Sequence, residues 1–273
     1  MSAVTTPSTS RTAQEASGAL GASPSADRAP TLARLVEVEL RKAVDTRAGF
    51  WLLFATALLS CTVTVLRLVF GDRHDKTLDE VFTIAQAPVN ALVPVIGILL
   101  VTSEWSQRGA LTTFVLVPHR GRVIGAKLLA MIAADVAATA VALVAALAGF
   151  GVGTAFGATA GGWHLPAAMI AQTFLAQVLT MLMGAAFGLL LLNSAAAIVL
   201  YFVLPTVWSI LGSLISGLRT PAHWLDTGYT TGLLLTPDSV TAEQWAQVGT
   251  SFAVWLLLPM AVGMWRLRRK EIA

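Results

Sequence analysis

Glu104 and Arg108 stand four residues apart with the acid first, the order and spacing that let an ion pair steady a turn of helix. Gly109 then leaves a gap where a second backbone can approach, and Pro118 stops the helix. Arg120, Arg122 and Lys127 follow as a basic cluster suited to an acidic surface or to lipid headgroups. Together these residues make 104–127, EWSQRGALTTFVLVPHRGRVIGAK, a polar, net-positive island between two apolar segments long enough to cross a bilayer. The chemistry open to such a set is recognition. A merely positive loop explains the charges, but not the helix, the glycine and the proline together. The layout is that of a loop built to touch another protein, in a membrane component driven by a separate partner.

Asp135 is the only acid inside an apolar segment, about 12 Å beyond Lys127 if a helix joins them. Intramembrane acids are functional hypotheses by default. Two readings stand for it: an ion pair with Lys127 or Arg122, or a group on a transport pathway. Gln86, Asn90, Gln172 and Gln177 are further polar candidates, for interhelical hydrogen bonds or for substrate contacts. Other chemistry finds no support. Residues 121–127, GRVIGAK, lack the Gly-Lys-Ser/Thr ending of a phosphate loop. His74, His119, His164 and His223 are scattered, without paired ligand spacing, and no nucleophile stands with a base. Cys61, the one cysteine, cannot form an internal disulfide and reads as a small packing residue. Neither catalysis, nor a metal, nor a cofactor in this chain is expected.

The elements that must position these residues follow from where charge is missing. The chain is 56% hydrophobic and 12% charged, about half the charged share of an ordinary globular domain. Between Asp135 and Arg219 there is no Asp, Glu, Lys or Arg. A soluble fold cannot keep that stretch from water, whereas consecutive membrane spans must avoid charge. The expected fold class is an all-α membrane protein with six transmembrane helices, near 49–70, 81–103, 128–156, 166–192, 195–217 and 248–265. Arg67 then lies near an interface, where its stem can snorkel. Lys and Arg concentrate before the first span, between the second and third, and after the sixth. By the positive-inside rule both termini and the 104–127 loop are cytoplasmic. Topology thus accounts for the basic excess, and nucleic acid need not be invoked. Arg outnumbers Lys 14 to 4 and Ala is abundant, which hints at a GC-rich bacterial genome and a bacterial plasma membrane.

Residues 1–30, rich in Ser, Thr, Ala and Pro, read as a disordered cytoplasmic tail. Residues 31–46 place Leu32, Leu35, Val36, Leu40, Ala43 and Val44 at helical spacing, with Arg34, Glu37, Arg41, Lys42 and Asp45 on the other side. Too short and too charged to span, this segment is expected to lie in the interface as an amphipathic helix. Gly149, Gly153, Gly157 and Gly161 recur every four residues, as do Gly184 and Gly188. Packing within the chain is the favoured role, a dimer seam the other. Residues 218–247, with Trp224, Tyr229 and Trp245, form either a re-entrant or surface-lying helical element or an aromatic-rich loop.

On these residues the chain resembles the ABC-2 type family of ABC transporter permeases. The family's loop runs Glu, four residues, Gly-Thr or similar, a stretch to Pro, a basic residue, and a Lys opening the third span. Glu104, Gly109, Pro118, Arg120 and Lys127 match it, while Ala110 replaces the usual Thr. The likeness extends over 31–270, with 47–270 as the six-span domain. It implies that 104–117 is a cytoplasmic coupling helix docking on a separate ABC-type ATPase, which would hold ATP and Mg. It also implies a homodimer or a pairing with a second permease, and most naturally an exporter. The alternative is a non-transporting membrane interaction or scaffold protein. A secondary transporter would be expected to show more intramembrane ionisable groups or repeated halves.

Overall fold

A computed structural model describes residues 31–70, 76–106, 120–159 and 162–270, and among these every regular element is helical. The elements are α1 (Leu32–Asp45), α2 (Arg47–Phe70), α3 (Leu78–Ser106), α4 (Arg120–Ala155), α5 (Ala167–Leu191), α6 (Ser194–Leu214), α7 (Arg219–Leu225), α8 (Thr227–Leu234), α9 (Ala242–Phe252) and α10 (Leu258–Lys270). One π-helical turn, Ala253–Leu257, joins α9 to α10, so the last three elements make one rod. Six stretches have the length and apolarity of spans: Arg47–Phe70, Leu78–Ser103, Gly125–Ala155, Ala167–Leu191, Ser194–Leu214 and Ala242–Arg266. The last begins earlier than the sequence reading places it, because Thr241 and Gln244 close a reciprocal capping box at its start.

α3 and α5 form the centre, and glycine decides how close they come. A Cβ on Gly184 would lie 2.4 Å from the Pro94 carbonyl oxygen, and one on Gly97 would lie 2.6 Å from that of Met181. No side chain fits there, so backbone meets backbone. α4 presents Ala126, Ala130, Ala134, Ala138, Ala142 and Ala146, all buried, as a smooth seam along its length. Gly149 and Gly153 extend the seam against Thr64 and Leu68 of α2, which makes the glycine spacing intramolecular packing. The stripe stops there. Gly157 adopts φ 63° and the Ala158 and Gly157 amides bond back to Gly153 and Thr154, a Schellman end that only a residue free of Cβ adopts without strain. Gly161 lies outside the described residues.

α2 is apolar outward and polar inward. Thr56, Ser60 and Thr64 are buried, while Trp51, Leu58, Val65 and Val69 are exposed. The two threonine hydroxyls bond to the Leu52 and Ser60 carbonyls, so they enter the interior without an open donor. Cys61 is exposed on that outer face rather than packed inside. Arg67 is braced against Glu80, its Nε donating to Oε1 at 2.9 Å, where the sequence suggests only snorkelling. α5 turns into α6 at Leu192, with φ 53°, and Asn193 caps α6 by accepting from the Ala196 amide.

The 218–247 connection is helical. Leu234 of α8 is fully buried, Thr83 of α3 bonds to the Leu235 carbonyl, and Trp255 donates to the Leu225 carbonyl at 2.7 Å. These contacts draw α7 and α8 in against the bundle, as the helical alternative requires.

Candidate functional site

Three polar assemblies stand out from the apolar body. The first is at the end where α1 packs along α4. Glu39 faces inward and is 5% exposed. Its Oε2 lies 2.9 Å from Lys127 Nζ, its Oε1 accepts from Lys42 at 2.7 Å, and Lys127 also donates to the Leu100 carbonyl at 2.9 Å. Burial alone would raise the Glu39 carboxyl; the Lys127 charge and the hydrogen bonds from Lys42 and Lys127 outweigh it and hold the group below its ordinary 4.5. Lys127 therefore fastens α4 to both α1 and α3.

Of the expected docking residues, Arg108, Gly109 and Pro118 lie outside the described residues, and only the backbone is described for Glu104, Arg120 and Arg122. That backbone differs from the expectation in two places. Glu104 continues the α3 helix instead of opening a separate one. Arg120 and Arg122 belong to α4, which starts well before the expected third span. α1 packs along α4, and Ala126 near the start of α4 is buried, packing that an isolated helix end lacks.

The second assembly lies in the centre. Gln86 of α3 donates to the Thr139 carbonyl of α4, and Gln177 of α5 donates to Gln86 Oε1, each at 3.5 Å. Asp135 sits one turn before Thr139, and Thr173 one turn before Gln177. All five residues are buried, Asp135 completely. Both Asp135 oxygens, the Thr139 and Thr173 hydroxyls and Gln177 Oε1 have no hydrogen-bond partner. Lys127, one of its two expected partners, bonds instead to Glu39 and Leu100. The open atoms are all oxygens, and burying such a group without a partner costs roughly 2–7 kcal/mol each. Gln172 is half-buried, and its Oε1 is likewise without a partner.

The third is a cavity of about 480 Å³ between α3, α5, α6 and α8, lined among others by Asn90, Thr180, Tyr201, Thr206, Ser209 and Asp226. A second hollow of about 350 Å³ shares Ser209 and Asp226 and adds His223 and Tyr229. The rings of those two residues stand 4.6 Å apart at 77°. Asp226 caps α8, its Oδ1 accepting from the Gly228 and Tyr229 amides at 2.8 and 3.2 Å. Two prolines lie one turn beyond the lining residues Asn90 and Tyr201. Pro94 and Pro205 lie inside α3 and α6 and have no N–H, so the carbonyls of Asn90 and Tyr201, four residues earlier, lose their regular helical donors. Asn90 thus lines a cavity, whereas Gln86 and Gln177 join helices.

Sequence reasoning missed Glu39 and Asp226. Glu39 had a legible signal: it falls three residues after Val36 and beside Leu40, on the apolar face of α1. Asp226 had a weaker one, a cap residue before Thr-Gly-Tyr.

The six long apolar helices make this chain a multi-pass integral membrane protein. No protein-family model matches it, and no curated protein does.

Proposed function

We propose that the chain is the membrane-spanning permease subunit of an ATP-binding-cassette exporter, driven by a separate ATPase that docks on residues 104–127. One observation carries most of the weight: Lys127, which closes that polar island, is bonded at once to Glu39 of α1 and to the Leu100 carbonyl of α3. A force applied to the loop by a partner is delivered to three helices together, and α3 and α4 hold the central polar cluster. The resemblance of Glu104, Gly109, Pro118, Arg120 and Lys127 to the ABC-2 loop supports the same reading. In it, α1 lies in the cytoplasmic interface, both termini are cytoplasmic, and the membrane is the bacterial plasma membrane. A second copy or a sister permease completes the pathway. ATP and Mg belong to the partner.

The test is co-purification. Tagged protein, isolated from its native membranes, should bring an ATP-binding-cassette ATPase down from detergent extracts. Glu104→Arg combined with Gly109→Trp should abolish the complex while membrane insertion persists. Full complex formation by the double variant removes the loop as the docking site. A wild-type chain that captures no ATPase refutes the permease reading in favour of a scaffold.

A further inference from the structure

We infer that the cavity walled by α3, α5, α6 and α8 binds an amphiphilic ammonium ion, with Asp226 as its counter-charge; this rests on the permease reading and names its substrate class. Among the described residues, the lining of the cavity and its adjoining hollow contains one carboxylate and neither Lys nor Arg. Asp226 uses Oδ1 as the α8 cap, while Oδ2 accepts from no described residue. Asp226 lines both hollows.

The other polar groups point the same way. The Asn90 and Tyr201 carbonyls lack the N–H that Pro94 and Pro205 cannot supply, and both residues line the cavity. Ser209 and Thr206 add hydroxyls at the wall. A ligand with N–H donors on a positive centre satisfies acceptors of this kind, whereas an anion would meet Asp226 without a compensating cation among the described lining residues. The rest of the surface takes an apolar body. Phe202 and Pro205 line the cavity, and the Tyr201 and Phe202 rings pack edge to face at 4.9 Å. Aromatic faces favour a nearby cation. At about 480 Å³ the cavity falls within the common size of small-molecule sites, roughly 300–1,000 Å³.

The variant that isolates the charge is Asp226→Asn, because Asn caps a helix about as well as Asp. Purified full-length chain in a neutral detergent is titrated with dansylcadaverine, a fluorescent primary ammonium, and with its N-acetylated and N-trimethylated derivatives. The expected order is ammonium tightest, trimethylammonium weaker for want of N–H donors, and the neutral acetyl compound weakest. Asp226→Asn should weaken the ammonium about tenfold or more, leave the acetyl compound unchanged, and keep helix content and melting midpoint. Ser209→Phe, which fills the junction, should weaken all three. Equal affinity of wild type and Asp226→Asn for the ammonium overturns the proposal, as does equal affinity for the ammonium and acetyl probes. In lipid nanodiscs, displacement of the probe by phosphatidylethanolamine but not phosphatidylcholine identifies an aminolipid as the source, and lack of displacement identifies a free amine. No ATPase is present in these titrations, so loss of binding rejects the substrate class and leaves the docking test to judge the permease reading.

Discussion

The Glu39–Lys127 contact can be measured as a coupling energy. Both side chains are well shielded, 6% and 13% exposed, and the bond is 2.9 Å. Removing one partner of a buried pair commonly costs about 3–5 kcal/mol, because the other charge is left without compensation. Two features lower that here. Lys127 keeps the Leu100 carbonyl as an acceptor, and Lys42, 46% exposed, can turn into water. Glu39→Met should therefore cost about 2–3 kcal/mol. Lys127→Met should cost less, about 1–2 kcal/mol, since Glu39 still has Lys42. The double variant replaces the pair with apolar groups of similar size, which is often nearly neutral, so it should be no worse than Glu39→Met alone. Unfolding in mild detergent can be followed through the chain's eight tryptophans. The expected coupling is about 2 kcal/mol. Additivity of the two singles within about 0.5 kcal/mol would show that the contact carries no energy and that Lys127 does not fasten α1 to α4.

Glu39 also sets an acid limit. Its folded carboxyl lies below the ordinary 4.5, so its contribution is complete above that value and is lost as pH falls through the lowered one. Wild type should lose stability below pH 4.5 more steeply than Glu39→Met, and identical acid profiles would contradict the shift. Asp135→Asn removes a carboxylate whose two oxygens have no partner, so its melting midpoint should stay level or rise. A loss above about 1 kcal/mol would reveal an ion pair. Gly184→Ala drives a Cβ to 2.4 Å from a backbone oxygen and should cost about 2–3 kcal/mol. Gly149→Ala meets a Thr64 methyl, not backbone, at 2.5 Å; that side chain can give only by straining its bond to the Ser60 carbonyl, so the change should cost about 1–2 kcal/mol. Equal costs measured by thermal unfolding would disprove the backbone-to-backbone account of α3 and α5.

The span pattern was legible because it depends on a property each residue carries alone. Lipid excludes charge, so the run without Asp, Glu, Lys or Arg from Asp135 to Arg219 had to hold several spans. The break expected between 192 and 195 falls at Asn193, whose side chain caps α6. Partners were less legible, since they depend on register between helices distant in sequence. Asp135 and Lys127 lie two turns apart on one helix, which made them look like a pair, yet Lys127 reaches across to Glu39. Nothing local to either residue distinguishes those outcomes. Gly157 failed for the opposite reason. Its four-residue spacing suggested a continuing stripe, but its freedom to take φ 63° ends the helix.

The arrangement of the two interior polar assemblies follows from where the helices can and cannot touch. Glycine brings α3 and α5 into backbone contact at Gly97 and Gly184, and the glutamine bridge joins the same helices about two turns away. Gln86 and Gln177 join the two helices there. Pro94 sits at the same crossing, its carbonyl against Gly184, and also removes the donor for the Asn90 carbonyl on the cavity side. Pro205 does the same to Tyr201 across the cavity in α6, which packs less tightly and leaves room. Close packing and open acceptors are thus set by neighbouring residues of α3. A change that separates α3 from α5 at Gly184 should therefore disturb binding at Asp226 even though the two residues share no contact.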